Sequence, residues 1–492
     1  MSEIRIVHTG TISYLSSLFG IITGLIFITI ITRNLTINEF GIWQILGSLY
    51  AYSAIPNIIP NYWAIRRISR GEKLATTAII TNIFLIIIGC FIYLSGAYVL
   101  DLKNTLTLYF ILIGAVLIPL QFMFSSLKAI TMATKPHLVA YSSIILEITK
   151  VIVGYYFISI RNLGFEGLII AVAVAMTAQI GFLLLRNKEN FYLNININEI
   201  KTWFRTGWLP IYTDLTSKII LLDVIVIAVI VQSTEIIALY KSAYIFAGII
   251  FLTIQFANVL RVKLLAEGGN QDIQLTIRLM MIFTVPIAFG AIILSEPLLF
   301  ILDPMYISAS AILQVLAFGV VLYTFSETFN VILVASDKTD QNGIRNKLLQ
   351  KSELVHIPTL DLVGRSAYIL ALATGAFLLM YYNFHELIGL LWAFLFLVLN
   401  LILSIYKWNR IIFKLKVAFP VRNLVNIIIS SILMVILVSQ LKTYIVYNQN
   451  ILSYIWPIIG IIIIGAVIYF LILFIIDKEF RNLTYKAIDI VR

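Results

Sequence analysis

Apolar stretches long enough to cross a bilayer recur about fourteen times in this chain of 492 residues, with only short connections between them. A helix needs about 20 apolar residues to span the hydrocarbon, so fourteen occupy roughly 300 residues and leave no room for a soluble domain. The stretches fall at roughly 8–32, 40–60, 76–100, 105–133, 139–158, 164–185, 206–231, 236–260, 278–302, 308–336, 354–381, 385–407, 424–444 and 453–476. They are continuous, whereas barrel strands show segments of about ten residues with alternating polarity. The expected fold class is therefore an all-α polytopic membrane protein. Composition agrees: 61% of residues are hydrophobic and only 12% charged, far from the soluble range.

Charge sets the expected orientation. Of the 35 Lys and Arg, 25 lie on one set of alternate connections, among them Arg66, Arg67, Arg70 and Lys73, Lys338, Arg345, Lys347 and Lys351, and Lys407, Arg410, Lys414 and Lys416. The opposite set holds only Arg33, Lys103, Arg161 and Lys442. The positive-inside rule then places both termini in the cytoplasm and the chain in the plasma membrane. The net charge of +11 reports this topology. A nucleic-acid partner needs an exposed basic domain, which the spans leave no space for. The single cysteine, Cys90, lies within a span and reads as inert packing. The first span is too long for a cleavable signal and is expected to stay as an anchor.

A weak internal repeat divides the chain. Leu35-Thr36-Ile37-Asn38-Glu39-Phe40-Gly41-Ile42-Trp43 returns as Gln232-Ser233-Thr234-Glu235-Ile236-Ile237-Ala238-Leu239-Tyr240, and Thr9-Gly10 as Thr206-Gly207. The offset is about 196 residues, or six helices. An even number of helices per repeat implies two lobes of the same topology related by an axis along the membrane normal. The domains expected are residues 1–195 (spans 1–6), 196–415 (spans 7–12) and 416–492, comprising two added helices and a cytoplasmic tail.

Ionisable residues inside spans cost about 2.5–3.5 kcal/mol each on insertion scales, so by default they face a cavity or one another. The seventh span carries Asp214, Lys218 and Asp223, the fifth Glu147 and Lys150, and the eleventh Asp361 and Arg365. Asp214–Lys218 and Asp361–Arg365 are spaced i, i+4 and Glu147–Lys150 i, i+3, so each set reads either as a self-neutralising pair or as part of a binding site. Asp223 and Glu327 have no such partner by spacing. Pro56, Pro60, Pro119, Pro210, Pro286, Pro358 and Pro457 fall within spans and can kink them. The four histidines have no metal-ligand spacing, no phosphate-binding glycine loop is present, and no Ser/His/Asp set shares a depth. Neither an enzyme nor a metal or other cofactor is expected.

Several short motifs, in order, carry a resemblance. Arg33-Asn34-Leu35 followed by Glu39-Phe40-Gly41 closes the first span; Leu163-Gly164-Phe165-Glu166-Gly167 opens the sixth; Asp223 precedes Leu239-Tyr240-Lys241-Ser242-Ala243-Tyr244. Before the twelfth span, Glu386-Leu387-Ile388-Gly389 keeps one glycine of two. Over residues of about 8 to 415 the chain resembles the Wzx-type polysaccharide-transport flippases of the multidrug/oligosaccharidyl-lipid/polysaccharide (MOP) exporter superfamily. The resemblance implies a V-shaped pair of six-helix lobes working by alternating access. It implies a polyprenyl-pyrophosphate-linked oligosaccharide as cargo, moved from the cytoplasmic to the outer leaflet for surface polysaccharide or glycan assembly. Membrane lipids and surface-polysaccharide assembly enzymes are the partners it implies.

A pyrophosphate crossing a low-dielectric centre needs counter-ions. Lys218 is the first candidate, because the resemblance places the cavity between spans 1, 2, 7 and 8. Lys241 and Arg33 follow as the cavity opens outward, then Arg365 and Lys150. Asp223 and Glu327 are the candidate ion-coupling carboxylates, and Pro210, one turn before Asp214, the candidate hinge. Flippases for peptidoglycan precursor carry cations within the first helix, whereas here it has none between His8 and Arg33. The alternative is a cation-coupled multidrug exporter of the same superfamily, for which a smaller pocket rich in aromatics and acids is expected.

Overall fold

The computed structural model describes residues 3–102, 106–191, 195–266, 269–337, 352–448 and 450–491. Lys103 and the basic connection carrying Lys338, Arg345, Lys347 and Lys351 lie outside the described residues. Every regular element described is helical. Eleven helices among the described residues are long and apolar enough to cross a membrane. The other three expected spans are α1 (Glu3–Asn34), whose apolar run Phe19–Asn34 is shorter, and two that are interrupted. The chain is a multi-pass membrane protein.

The chain forms two compact units, residues 1–238 and 239–492. In the first, α1 is followed by α2 (Ile37–Ser53) and α3 (Ile58–Ile68), which are one span broken at Ile55–Asn57, then α4 (Ala75–Asp101). Next come α5 (Leu108–Ala115) and α6 (Leu117–Thr134), α7 (His137–Gly154), α8 (Gly164–Arg186), a short amphipathic α9 (Ile197–Arg205), and α10 (Trp208–Lys218) and α11 (Leu222–Ile230). The seventh span belongs to this unit because α10 packs on α3 and α11 on α2 and α4.

The second unit begins inside α12 (Thr234–Gly248), which a turn of 3₁₀-helix at Ile249–Thr253 joins to α13 (Ile254–Ala266). It continues with α14 (Asn270–Ile293), α15 (Ser295–Leu302), α16 (Ser310–Ala335), α17 (Glu353–Tyr381) and α18 (Ile388–Leu415). The two added spans are α19 (Val421–Lys442) and α20 (Ile451–Ile476), followed by a short α21 (Lys478–Val491). The added pair is integral to this unit: α14 packs on α19 and α20, and Tyr469 on α20 donates to the Ile282 carbonyl over 2.8 Å. At one end Arg278 of α14 holds Asp477 at 2.9 Å, and Asn423 and Asn426 of α19 donate to the other oxygen of that carboxylate at 3.0 and 3.2 Å.

Exposure is inverted relative to a soluble protein. On α4, Phe84, Ile87 and Phe91 are about 70% exposed while Thr77, Thr81 and Asn82 are buried. Such a stripe suits lipid on the outside and polar groups paired inside.

The repeat persists in the elements. Helices α2, α4 and α5 start at 37, 75 and 108; α12, α14 and the helical turn leading into α16 start at 234, 270 and 304. Interruptions recur as well, at 55–57 and at 249–253. Prolines account for some of them, because the ring clashes with the carbonyl four residues earlier. Pro60 follows the break at Ile55–Asn57, Pro119 the break at Val116, and Pro210 the junction of α9 and α10 at Thr206–Gly207. Pro210 itself lies in the first turn of α10, where no intrahelical donor is needed. The break inside the seventh span instead falls at Ile219–Leu221, immediately after Lys218 and with no proline there.

Candidate functional site

The glycine motifs meet backbone. A Cβ on Gly41, at the start of the second turn of α2, would sit 2.0 Å from the Thr234 carbonyl oxygen. Beside it Thr234 donates to Asn38 over 2.8 Å, and Thr36 and Glu39 form a capping box that starts α2. Gly164 adopts a φ of +53°, which favours glycine, and a Cβ on Gly167 would press on the Phe157 carbonyl at 3.1 Å.

Lys218, Lys150 and Arg365 are held by carboxylates. Lys218 ends α10 with its ammonium 3.0 Å from Asp214, as the i, i+4 spacing allows. Its carbonyl, freed by the helix break, accepts from the Tyr52 hydroxyl at 2.7 Å. Lys150 reaches Glu147 at 2.7 Å and lies over the Phe27 ring, while Thr23 of α1 donates to the same carboxylate at 3.0 Å. This pair therefore ties α7 to α1.

Arg365 is held from another helix. Its guanidinium lies 2.9 Å from Glu327 on α16, so the spacing argument that left Glu327 without a partner missed a contact across the bundle. Asp361, one turn before Arg365, is met by Lys407 of α18 at 2.6 Å. Asn330 donates to Glu327 at 3.1 Å and to Asp361 at 3.0 Å, joining the two pairs, and Lys407 donates to Ser326 at 2.7 Å. Lys407, counted from sequence among the connection cations, is fully buried. A readable signal existed: Phe396, Leu399, Leu403, Lys407 and Ile411 fall on one helical stripe, and all are buried.

Lys241 differs. Its ammonium sits 5.5–5.7 Å from the rings of Tyr240, Tyr244 and Trp392, within cation–π range. Among the described residues no carboxylate pairs with it. Arg33 stands in the last turn of α1. Asp223 is buried in the first turn of α11, where its carboxylate accepts from the Val224 amide at 2.6 Å.

The second unit also holds a half-open apolar cavity of about 330 Å³. Its walls come from α14 (Phe283, Pro286, Gly290), α19 (Met434, Val438) and α20 (Tyr469, Phe470), with Phe246 of α12 beside them. Sequence periodicity gave no sign of it, since a cavity depends on how three helices meet. Among the described residues no group of three or more His, Cys, Asp or Glu side chains is placed to hold a metal ion.

This arrangement of helices is found in solved membrane transporters. The lipid II flippase MurJ, in its inward closed conformation, superposes with a TM-score of 0.67 at 16% identity, covering 97% of this chain and 100% of that one. An inward-facing multidrug resistance MATE family transporter of the MOP superfamily gives 0.59 at 12% identity, covering 80% of this chain and 94% of its own. A MATE structure in complex with MaL6 gives 0.54 at 13% identity, over 83% and 96%. No protein-family model matches the chain, and no curated protein matches it in sequence. The chain thus shares the fold of these transporters.

Proposed function

We propose that this protein is a flippase that moves a polyprenyl-pyrophosphate-linked oligosaccharide from the cytoplasmic to the outer leaflet by alternating access, in the manner of the Wzx-type proteins it resembles. Surface polysaccharide or glycan assembly is the process served, in the plasma membrane and with both termini cytoplasmic. The observation that carries this reading is the apolar cavity walled by α14, α19 and α20. Two of its walls belong to the helices added to the twelve-helix repeat, and its lining offers an isoprenoid chain apolar contact with nothing to hydrogen-bond. The MurJ likeness spans nearly the whole chain, whereas the MATE likenesses cover 80–83% of it.

Lys241 takes the leading role toward the pyrophosphate. Lys218, Lys150 and Arg365 are each neutralised by a carboxylate, so in the paired state they offer an anion little net charge. The rings around Lys241 attract its ammonium without cancelling it. Arg33 serves the same anion from the end of α1, and Asp223 is the coupling carboxylate of this reading, while Glu327, the other candidate, is held by Arg365 and ties α16 to α17. The hinge of the seventh span is assigned to Ile219–Leu221, with Pro210 setting the entry to α10.

Photo-crosslinking with a diazirine-bearing polyprenyl pyrophosphate tests the cavity. Gly290 lines it and a Cβ there meets nothing within 4 Å, so Gly290→Phe fills the space while Gly290→Ala leaves it open. Labelling of α14 and α20 in wild type and Gly290→Ala, lost in Gly290→Phe, is the expected result. Equal labelling of all three removes the cavity from the account, and displacement of the probe by cationic drugs favours the multidrug reading.

A further inference from the structure

A fully buried lysine inside a membrane bundle demands a reason. Lys407 exposes none of its surface, and burying an ammonium costs several kcal/mol unless it is both paired and hydrogen-bonded. Its ammonium has two oxygen partners, Asp361 Oδ1 at 2.6 Å and Ser326 Oγ at 2.7 Å. Next to them is Asn330, whose amide nitrogen is committed to both Glu327 and Asp361, which fixes the orientation of the amide. Its oxygen is buried and accepts no hydrogen bond among the described residues. Asp361 Oδ1 meets Lys407 as an ion contact and has no directed hydrogen bond.

These are the donors of an alkali-metal site. Carboxylate, hydroxyl and amide oxygens are hard ligands that suit a hard cation, and none of them is a nitrogen or sulfur ligand of the kind transition metals prefer. The charge count is specific as well. Glu327 and Asp361 carry two negative charges and Arg365 returns one positive, so without Lys407 the cluster is left at −1. One monovalent cation restores neutrality, whereas a divalent ion leaves an excess of charge in a low-dielectric interior.

We propose that Ser326, Glu327, Asn330 and Asp361 form a monovalent-cation site that the Lys407 ammonium occupies as a tethered ion. The wild-type protein then needs no sodium or potassium at this place, and α16, α17 and α18 stay tied whatever the ion gradient. The inference concerns ion binding and stands whether or not the cargo is a lipid-linked glycan.

Melting temperature of the purified protein, titrated with NaCl or KCl against choline chloride at constant ionic strength, tests it. Wild type is expected to show no saturable response specific to the alkali cation. Lys407→Ala is expected to melt lower in choline and to recover saturably with sodium or potassium, and Asp361→Asn added to it is expected to abolish the recovery. Radioactive sodium binding to Lys407→Ala, absent from wild type, gives the same result without reference to stability. Should Lys407→Ala not be recovered, Lys407→Gly purified with methylammonium supplies the missing group as a free ion, and rescue by that salt alone supports the site. A saturable sodium response in wild type that Asp361→Asn removes overturns the proposal. So does a folded Lys407→Ala indifferent to every cation, or failure of both variants to be recovered in any of these salts.

Discussion

Tyr240 and Trp392 lie face to face, ring centroids 3.7 Å apart and planes 4° from parallel, and the ammonium of Lys241 rests against both. Both rings are almost wholly buried, so the stack joins α12 to α18 and fixes the platform on which the lysine sits. An aromatic cradle holds a cation in place by about 0.5–2 kcal/mol without neutralising it, which is what an anion-binding lysine in a bundle requires.

Removing that charge tests the platform. Lys241→Ala is expected to lower transport of an anionic cargo roughly tenfold or more, the loss of one charge-assisted contact of about 1.5–3 kcal/mol, while Lys241→Arg keeps most of it. Both variants are expected to melt near the wild-type temperature. Transport assays paired with melting curves of the same preparations check this.

Gly41 is a matter of space. The β-carbon of an alanine would lie 2.0 Å from the Thr234 carbonyl oxygen, so backbone must move. Gly41→Ala is expected to destabilise by about 1–3 kcal/mol, the usual range for overpacking. Gly47→Ala on the same helix meets nothing within 4 Å and is expected to be neutral. Thermal unfolding of the two in one detergent decides.

The Arg365–Glu327 pair links α16 to α17. Removing one partner of a fully buried pair costs about 3–5 kcal/mol and removing both is far milder; with Glu327 a quarter exposed, the cost here falls below that range. Glu327→Gln is therefore expected to melt well below wild type, and Glu327→Gln with Arg365→Met to regain most of the loss. A double-mutant cycle measures the difference.

Asp477, at the junction of α20 and α21, gives a pH dependence. Burial pushes its pKa up, but the Phe480 amide, Asn423, Asn426 and Arg278 outweigh this and hold it below the ordinary aspartate value. A depressed pKa contributes stability that is fully present above the unfolded value of about 3.9 and is lost as pH falls through the folded value. The melting temperature is expected to drop below about pH 4 and to do so less steeply in Asp477→Asn. Melting curves between roughly pH 6 and 2.5 show it.

Much of the fold is legible in the sequence, because a span is a local property: about 20 apolar residues in a row announce it wherever the neighbours fall. Breaks preceding Pro60, Pro119 and Pro210 are legible for the same reason. Those at Ile219–Leu221 and Ile249–Thr253 carry no proline and come from the bundle. Side-chain pairing divides along the same line. Asp214–Lys218 and Glu147–Lys150 are neighbours on one helix and were readable by spacing. Arg365–Glu327 and Lys407–Asp361 join different helices, and no spacing along the chain reports them. The cavity of α14, α19 and α20 is further out of reach, being the space that packing leaves.

Flipping itself is the most direct test of the account. Purified protein in liposomes containing a labelled polyprenyl-pyrophosphate oligosaccharide should expose that label to an external glycosidase faster than empty liposomes do, with Lys241→Ala and Gly290→Phe each removing the gain. Exposure no faster than in empty liposomes, with folded protein and with proton, sodium and potential gradients each applied, would contradict the assignment of a lipid-linked glycan as cargo.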